Sequence, residues 1–311
     1  NELNSLLPDS SNFSPKNMKN NLYKNTMDKY ASYVMSKTTS WSVAKSKKYL
    51  NAPKKSDHKY RRGVLGCVTG SKQFPGAALL ATESALATGV GMVRYFGPEK
   101  VKRAVIQNRP EIVLVSGRVD VYLLGSGIPE SRALFRKLMM EQINRTKVPR
   151  ILDAGALYLA GTSKALTLIT PHAGELLKLF ASKKIEVSIS DIEKDPGGWA
   201  QKCAKLFGVT VLIKGSTTYV ANENRIIKLP IATSWLATAG TGDVLAGVIG
   251  ALIAINHENL NEENLIEIAA TGSLVHAMAA KRASSKSKNG PIDIGQMVMT
   301  ISTIIGQISA R

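Results

Sequence analysis

The densest cluster of residues able to do chemistry is Ala237-Thr238-Ala239-Gly240-Thr241-Gly242-Asp243. Val244, Leu245, Val248, Ile249, Leu252 and Ile253 follow at once with helical spacing. Glycines ahead of a helix let backbone N–H groups converge, and the helix N-terminus adds partial positive charge, so the segment predicts a phosphate cradle at Gly240, Thr241 and Gly242. Asp243 then has two readings. A carboxylate in a first helical turn is favoured by the dipole as a cap. Beside a phosphate, the same group can take the proton from a hydroxyl that attacks the phosphoryl group. The small and polar residues in front of it tilt the reading towards the base.

Further clusters fall at the ends of apolar runs, where open α/β sheets hold their ligands. Thr69-Gly70-Ser71 leads to Phe74-Pro75-Gly76-Ala77-Ala78, and Gly125-Ser126-Gly127 follows Leu123-Leu124. Asp153 ends Ile151-Leu152, as a helix cap or as a ligand for a hydroxyl. Thr170-Pro171-His172-Ala173-Gly174-Glu175 places His172 and Glu175 at a strand-to-helix junction, structural or ligand-binding with equal weight. Lys214-Gly215-Ser216-Thr217-Thr218 combines a cation, a flexible turn and hydroxyl donors suited to a nucleotide. Gly-x-x-x-x-Gly-Lys-Ser/Thr is absent, as is Gly-x-Gly-x-x-Gly after the first strand, which excludes P-loop and Rossmann dinucleotide chemistry.

These clusters need a scaffold of alternating strands and helices. Strands are predicted at 63–69, 91–96, 112–115, 121–124, 150–153, 166–169, 209–213, 218–221 and 226–229. Helices are predicted at 76–88, 129–144, 173–181, 189–207, 243–255, 262–282 and about 291–307. The alternation implies βα units around a mostly parallel sheet. The last three helices follow one another without a strand, so they cover one face of a finished sheet in a three-layer α/β/α body. Residues 1–59 show little periodicity beyond a candidate helix near Met27–Met35 and read as a basic, polar extension ahead of a domain at 60–311.

Composition narrows the class further. The chain has 311 residues, and its longest nearly continuous apolar stretch, 244–255, is too short for a span of about 20 residues. The first 30 residues are polar and Asn-rich, without the apolar core of a secretory signal. Cys67 and Cys203 are too few for a disulfide framework, which fits a reducing, cytoplasmic setting. The formal charge is +18, and residues 1–62 carry half of that excess, with 13 Lys or Arg against 4 Asp or Glu. No nucleic-acid reader motif accompanies these charges, so they read as a solvated, mobile or loosely docked arm, with neither a membrane nor a specific nucleic acid as partner.

Taken in order, these motifs resemble the ADP- or ATP-dependent NAD(P)H-hydrate dehydratases of the ribokinase-like superfamily, from about Asp57 to the C-terminus. Gly-Thr-Gly-Asp indicates the superfamily. Pro-His-Ala-Gly-Glu together with the Pro-Gly-Ala-Ala helix start narrows it to the dehydratases. The resemblance implies a ribokinase-like fold and repair of hydrated NADH or NADPH: a nucleotide phosphorylates the ring hydroxyl, phosphate leaves and the double bond re-forms. It implies Asp243 as the base, with Gly240, Thr241 and Gly242 holding the transferred phosphoryl group. Ala77, Gly127 and His172, with Asp243 and Asp153, are implied to contact the hydrated dinucleotide. Lys214, Gly215, Ser216, Thr217, Thr218 and Gly242 are implied to hold the nucleotide, and Glu175 to face Mg²⁺. A homo-oligomer is implied as well. Two departures stand out: Ser126 occupies a position where relatives carry Pro, and Ala239 one where Gly is common. Many relatives carry an epimerase domain in front; residues 1–59 are too short and polar for it, so dehydratase without epimerase activity is expected. The alternatives are a ribokinase-like kinase acting on a vitamin-precursor alcohol, and a nucleotide-binding protein without turnover.

Overall fold

All five residues of the run Val64–Val68 are buried, as a strand covered on both faces requires. The computed structural model, which describes residues 38–129 and 134–310, arranges such runs in alternation with helices. In chain order these are β1 (Thr38–Ser40), α1 (Val43–Ser46), β2 (Val64–Val68), α2 (Pro75–Thr88), β3 (Met92–Tyr95), α3 (Glu99–Asn108), β4 (Val121–Leu124) and α4 (Leu134–Asn144). Then come β5 (Arg150–Leu152), β6 (Thr167–Ile169), α5 (Ala173–Ser182), α6 (Ile189–Lys194), α7 (Pro196–Phe207), β7 (Thr210–Ile213), β8 (Tyr219–Ala221) and β9 (Ile226–Lys228). The chain ends with α8 (Thr241–Ile255), α9 (Glu262–Lys286) and α10 (Ile294–Ser309). The strands form one sheet in the order β1-β9-β8-β7-β6-β5-β4-β2-β3. From β3 to β7 every pairing is parallel, whereas β7–β8 and β8–β9 are antiparallel.

Register shows how the two faces are covered. Leu212 pairs with Val220 and Val220 with Ile227, so the three share a face, and they join the core cluster built from α8, α9 and α10. Ile213 pairs with Tyr219 and Ala221 with Ile226 on the opposite face, where Gly197 of α7 lies against Tyr219 and Ile226. The expected three layers and the mostly parallel sheet are therefore present. So is the expected run of closing helices: α8 packs between α2 and α9, and α10 lies against α2 and α9.

Several elements differ from expectation. Residues 112–115 make only one bridge, Val113 to Arg94, because the chain then turns so that the carbonyls of Val115, Ser116 and Arg118 accept from the buried Arg94 guanidinium. The helix expected at 189–207 is two helices; Pro196 has no N–H to continue α6, and Asp195 caps α7 through the Gly198 amide. Helix α3 was not foreseen. Part of the expected extension also belongs to the body. Trp41, Tyr49 and Leu50 lie in the core, and Glu267 of α9 accepts from Tyr49 and Lys48 as well as from Arg225. Residues 1–37, with the candidate helix near Met27–Met35, lie outside the described residues.

Helix α8 is apolar on every side and buried from Val244 to Ala254, so its position is set by close packing. At Gly247 a Cβ would fall 2.2 Å from the Ala81 carbonyl oxygen of α2 and 2.1 Å from the Ser84 hydroxyl. At Gly306 of α10 a Cβ would meet nothing within 4 Å. Gly247→Ala is therefore expected to lower stability by about 1–3 kcal/mol through overpacking. Gly306→Ala is expected to raise it by about 0.5–1 kcal/mol through helix propensity. Urea denaturation of the two variants reads the opposite signs.

Candidate active site

Helix α8 starts through Gly240, whose φ of +96° is a left-handed conformation and whose absent Cβ would sit 2.7 Å from the Leu80 side chain. Only glycine fits there. The turn leaves the amides of Gly240, Gly242 and Asp243 without an acceptor among the described residues. Bare donors at a helix N-terminus, with the dipole behind them, are suited to an anion. Thr241 differs from expectation: its amide closes a turn onto the Thr238 carbonyl at 3.3 Å, and its hydroxyl donates to Leu236 and Thr238. It braces the cradle, and the free donors are its neighbours.

Beside this turn stands the Lys214 ammonium. Strand β7 carries Lys214 to the sheet's edge, its amide donates to the Pro171 carbonyl, and its Nζ lies 2.9 Å from Asp153 Oδ1 and 3.9 Å from Glu175 Oε2. A Cβ built on Gly242 would be 3.9 Å from that same Nζ, so the ammonium borders the first turn of α8. Asp153 is buried with both oxygens in use: Oδ1 accepts from Thr170 and Lys214, Oδ2 from Ser126. Burial pushes its carboxyl up, but the Lys214 charge and these hydrogen bonds outweigh that and hold it below the usual carboxylate range. Asp153 thus anchors Lys214. Lys214 is itself held above the usual lysine value, since Asp153, Glu175 and Asp243 together exceed the effect of burial.

Asp243 has the opposite balance. Burial first, and then the like charge of Asp153, push its carboxyl up to about 6, with Lys214 compensating only in part. A carboxyl titrating there is ionised at neutral pH and still basic enough to accept a proton.

His172 and Glu175 form a reciprocal cap at the start of α5. The Nδ1 of His172 accepts from the Gly174 and Glu175 amides, while Glu175 Oε2 accepts from the His172 amide. Among the described residues no three His, Cys, Asp or Glu side chains converge as a metal cage. Glu175 uses Oε2 for the cap, and the same oxygen stands 3.9 Å from the Lys214 ammonium. His172 keeps Nε2 uncommitted except for Glu175 at 3.5 Å, and its side chain is 59% exposed on the pocket wall.

The pocket has a volume of about 750 Å³ and brings together Lys214, Gly215, Ser216, Thr218 and the turn from Gly240 to Gly242, with His172 at its edge. Thr217 is not on its wall, and half-buried Asp243 follows Gly242 in the same helical turn. Ala77 and Gly127 lie apart from this wall, at a junction where a Cβ on Gly127, at φ +66°, would fall 2.3 Å from that of Ala77. The Gly70 amide donates there to the Ser126 carbonyl at 2.7 Å, tying the junction to the residue that holds Asp153. Two parts of the wall were not foreseen. One is the segment from Leu229 to Ser234, whose only advance signal is exposed apolar Ile231 after a strand; the other is His276, a lone histidine in an Ala-rich helix.

Comparisons with known proteins give the family and the fold. A family model described as NAD(P)H-hydrate dehydratase matches residues 65–300. A bifunctional NAD(P)H-hydrate repair enzyme of Corynebacterium glutamicum is 35% identical over 254 residues, covering 76% of this chain and 44% of that protein. An ADP-dependent (S)-NAD(P)H-hydrate dehydratase of Neisseria meningitidis is 31% identical, covering 72% of this chain and 78% of that protein. The chain spans about half the length of the bifunctional relatives it matches. The fold is shared with the ADP/ATP-dependent NAD(P)H-hydrate dehydratase of Bacillus subtilis, with a TM-score of 0.73 at 22% identity, covering 87% of this chain and 97% of that one.

The raised Asp243 value also governs stability. Its folded value, about 6, exceeds the unfolded one, so the charged carboxylate opposes folding; the penalty is fully present above pH 6 and absent below the unfolded value of about 4. Asp243→Asn is expected to raise the unfolding free energy at pH 7.5 by on the order of 2 kcal/mol and to leave it unchanged near pH 3.5. Denaturation at the two pH values checks both halves.

Proposed function

Because the chain belongs to the NAD(P)H-hydrate dehydratase family, we propose that it uses ADP or ATP to dehydrate (6S)-NAD(P)H hydrate back to NAD(P)H. The observation that carries this reading is the basic carboxylate of Asp243 beside bare helix amides and the Lys214 ammonium. Asp243 accepts the proton of the ring hydroxyl as its oxygen attacks the terminal phosphoryl group of the nucleotide, whose P–O bond to the next phosphate breaks to release AMP from ADP or ADP from ATP. The amides of Gly240 and Gly242 and the Lys214 charge offset the negative charge that develops on that group. Hydroxide leaves poorly and phosphate leaves well. The ring nitrogen's lone pair then expels phosphate with cleavage of the C–O bond, and loss of the neighbouring C–H proton restores the double bond.

The wall formed by Lys214, Gly215, Ser216 and Thr218 supports placing the nucleotide in the pocket, and Ala77, Gly127 and His172 remain the proposed contacts of the dinucleotide. Mg²⁺ belongs to the bound nucleotide in this proposal, coordinated by its phosphates and by water. The proposed setting is the cytoplasm, which suits two buried thiols and a chain in which no helix among the described residues is long and apolar enough to cross a membrane. A homo-oligomer is the proposed assembly.

Incubation with NADH hydrate, Mg²⁺ and either ADP or ATP is expected to restore dihydronicotinamide absorbance and release phosphate. A stable phosphate ester in its place would make the protein a kinase, and binding without turnover would remove the enzymatic reading. Asp243→Asn is expected to keep nucleotide binding and to lose about 100-fold to 10,000-fold in kcat. The acid limb of the wild-type rate profile is expected near pH 6, since turnover needs the ionised carboxylate. Asp153→Asn removes a like charge and is expected to shift that limb to lower pH, and nucleotide KM is expected to rise as Lys214 loses its anchor. A limb that stays in place in this variant contradicts the charge coupling.

A further inference from the structure

His276 of α9 lies at the phosphate end of the pocket, and no part of the reaction described above uses it. It is 6% exposed and lines the wall together with Ala277 and with Ser273, which lies one turn before it on the same helical face. Its Nε2 is 2.9 Å from the Thr241 carbonyl oxygen in the first turn of α8. A carbonyl can only accept, so Nε2 bears the hydrogen. Burial pushes the imidazole down to about 4, so the ring is neutral at pH 7 and Nδ1 is left as a lone-pair acceptor. No described residue donates to Nδ1. Nδ1 is not among the enclosed side-chain atoms that lack a partner, so it opens to the pocket, where a donor on the ligand is its natural complement.

We infer that His276 is a ligand-contacting residue of this pocket, presenting Nδ1 as hydrogen-bond acceptor to a ribose hydroxyl of the nucleotide. The inference rests on the nucleotide reading of the pocket. The choice of the sugar follows from position: His276 is bonded to Thr241, the residue between Gly240 and Gly242, and in a nucleotide the ribose is the group joined directly to the phosphates that such a cradle takes. The same ring thus braces the cradle through Nε2 and reads the sugar through Nδ1.

Calorimetric titration of the full chain with ADP, 2′-deoxy-ADP, 3′-deoxy-ADP and pyrophosphate tests this. For the wild type, the analogue lacking the accepted hydroxyl is expected to bind about 3-fold to 10-fold more weakly than ADP. In His276→Leu, loss of the hold on Thr241 is expected to weaken pyrophosphate and that analogue by one common factor, and ADP is expected to fall further, to the affinity of the analogue in the same variant. His276→Gln, which retains a donor and an acceptor, is expected to recover part of the discrimination. Equal binding of both deoxy analogues and ADP by the wild type overturns the inference, even if the leucine variant fails to fold. Loss of pyrophosphate and ADP in equal proportion in the leucine variant also overturns it, because His276 would then act only through Thr241. Failure of both ADP and pyrophosphate to bind the wild type removes the nucleotide reading of the pocket, a distinct result from failure at the ribose.

Discussion

One ammonium group, that of Lys214, has to serve three carboxylates. Asp153 holds it at 2.9 Å, Glu175 stands at 3.9 Å, and Asp243 feels its charge without a direct ion pair. The division is unequal because Asp153 is fixed by Ser126 and Thr170 and has no freedom to move away. Asp153 therefore remains an anion, and Asp243 is left under-compensated in a half-buried position. Two carboxylates in one neighbourhood are separated in this way into an anchor and a base, the general arrangement by which acid–base roles are assigned.

That electrostatic division works only if the first turn of α8 stays where it is. The helix runs from the pocket into the core, and close contacts at Gly247 with α2 and at Gly272 of α9 with Ile249 set its position. At its outer end Gly240 turns the chain, Thr241 closes onto Thr238 and His276 holds the Thr241 carbonyl. The amides left bare by this turn are unfavourable in the free protein and useful once an anion arrives. Local instability at the site is thus carried by a helix that the rest of the core holds rigidly.

Features with a local chemical signature were legible in the sequence. Glycine clusters at the ends of apolar runs marked the sheet's ligand edge, and Gly240-Thr241-Gly242-Asp243 before an apolar helix marked the cradle. Features that depend on what lies across space were not. Asp153 and Lys214 are 61 residues apart, and nothing local says that one carboxylate is saturated by three donors. For His172 at the start of α5 a structural and a ligand-binding role weighed equally, and only the structure shows Nδ1 bonded to two amides of its own helix while Nε2 faces the pocket. His276 carries no motif, and only the packing of α9 along α8 brings it to the pocket. Residues 38–50 read as part of an extension because they show little periodicity, yet Trp41, Tyr49 and Leu50 are enough to fix that segment in the core.

The most direct measurement is amide NMR of the α8 turn in the presence and absence of ADP with Mg²⁺. The account requires the Gly240, Gly242 and Asp243 N–H signals to move downfield on nucleotide binding as they gain an anionic acceptor, while that of Thr241, already bonded to Thr238, stays nearly still. If the nucleotide binds and none of those three signals moves, the helix N-terminus is not the phosphate cradle, and the placement of chemistry at Asp243 fails with it.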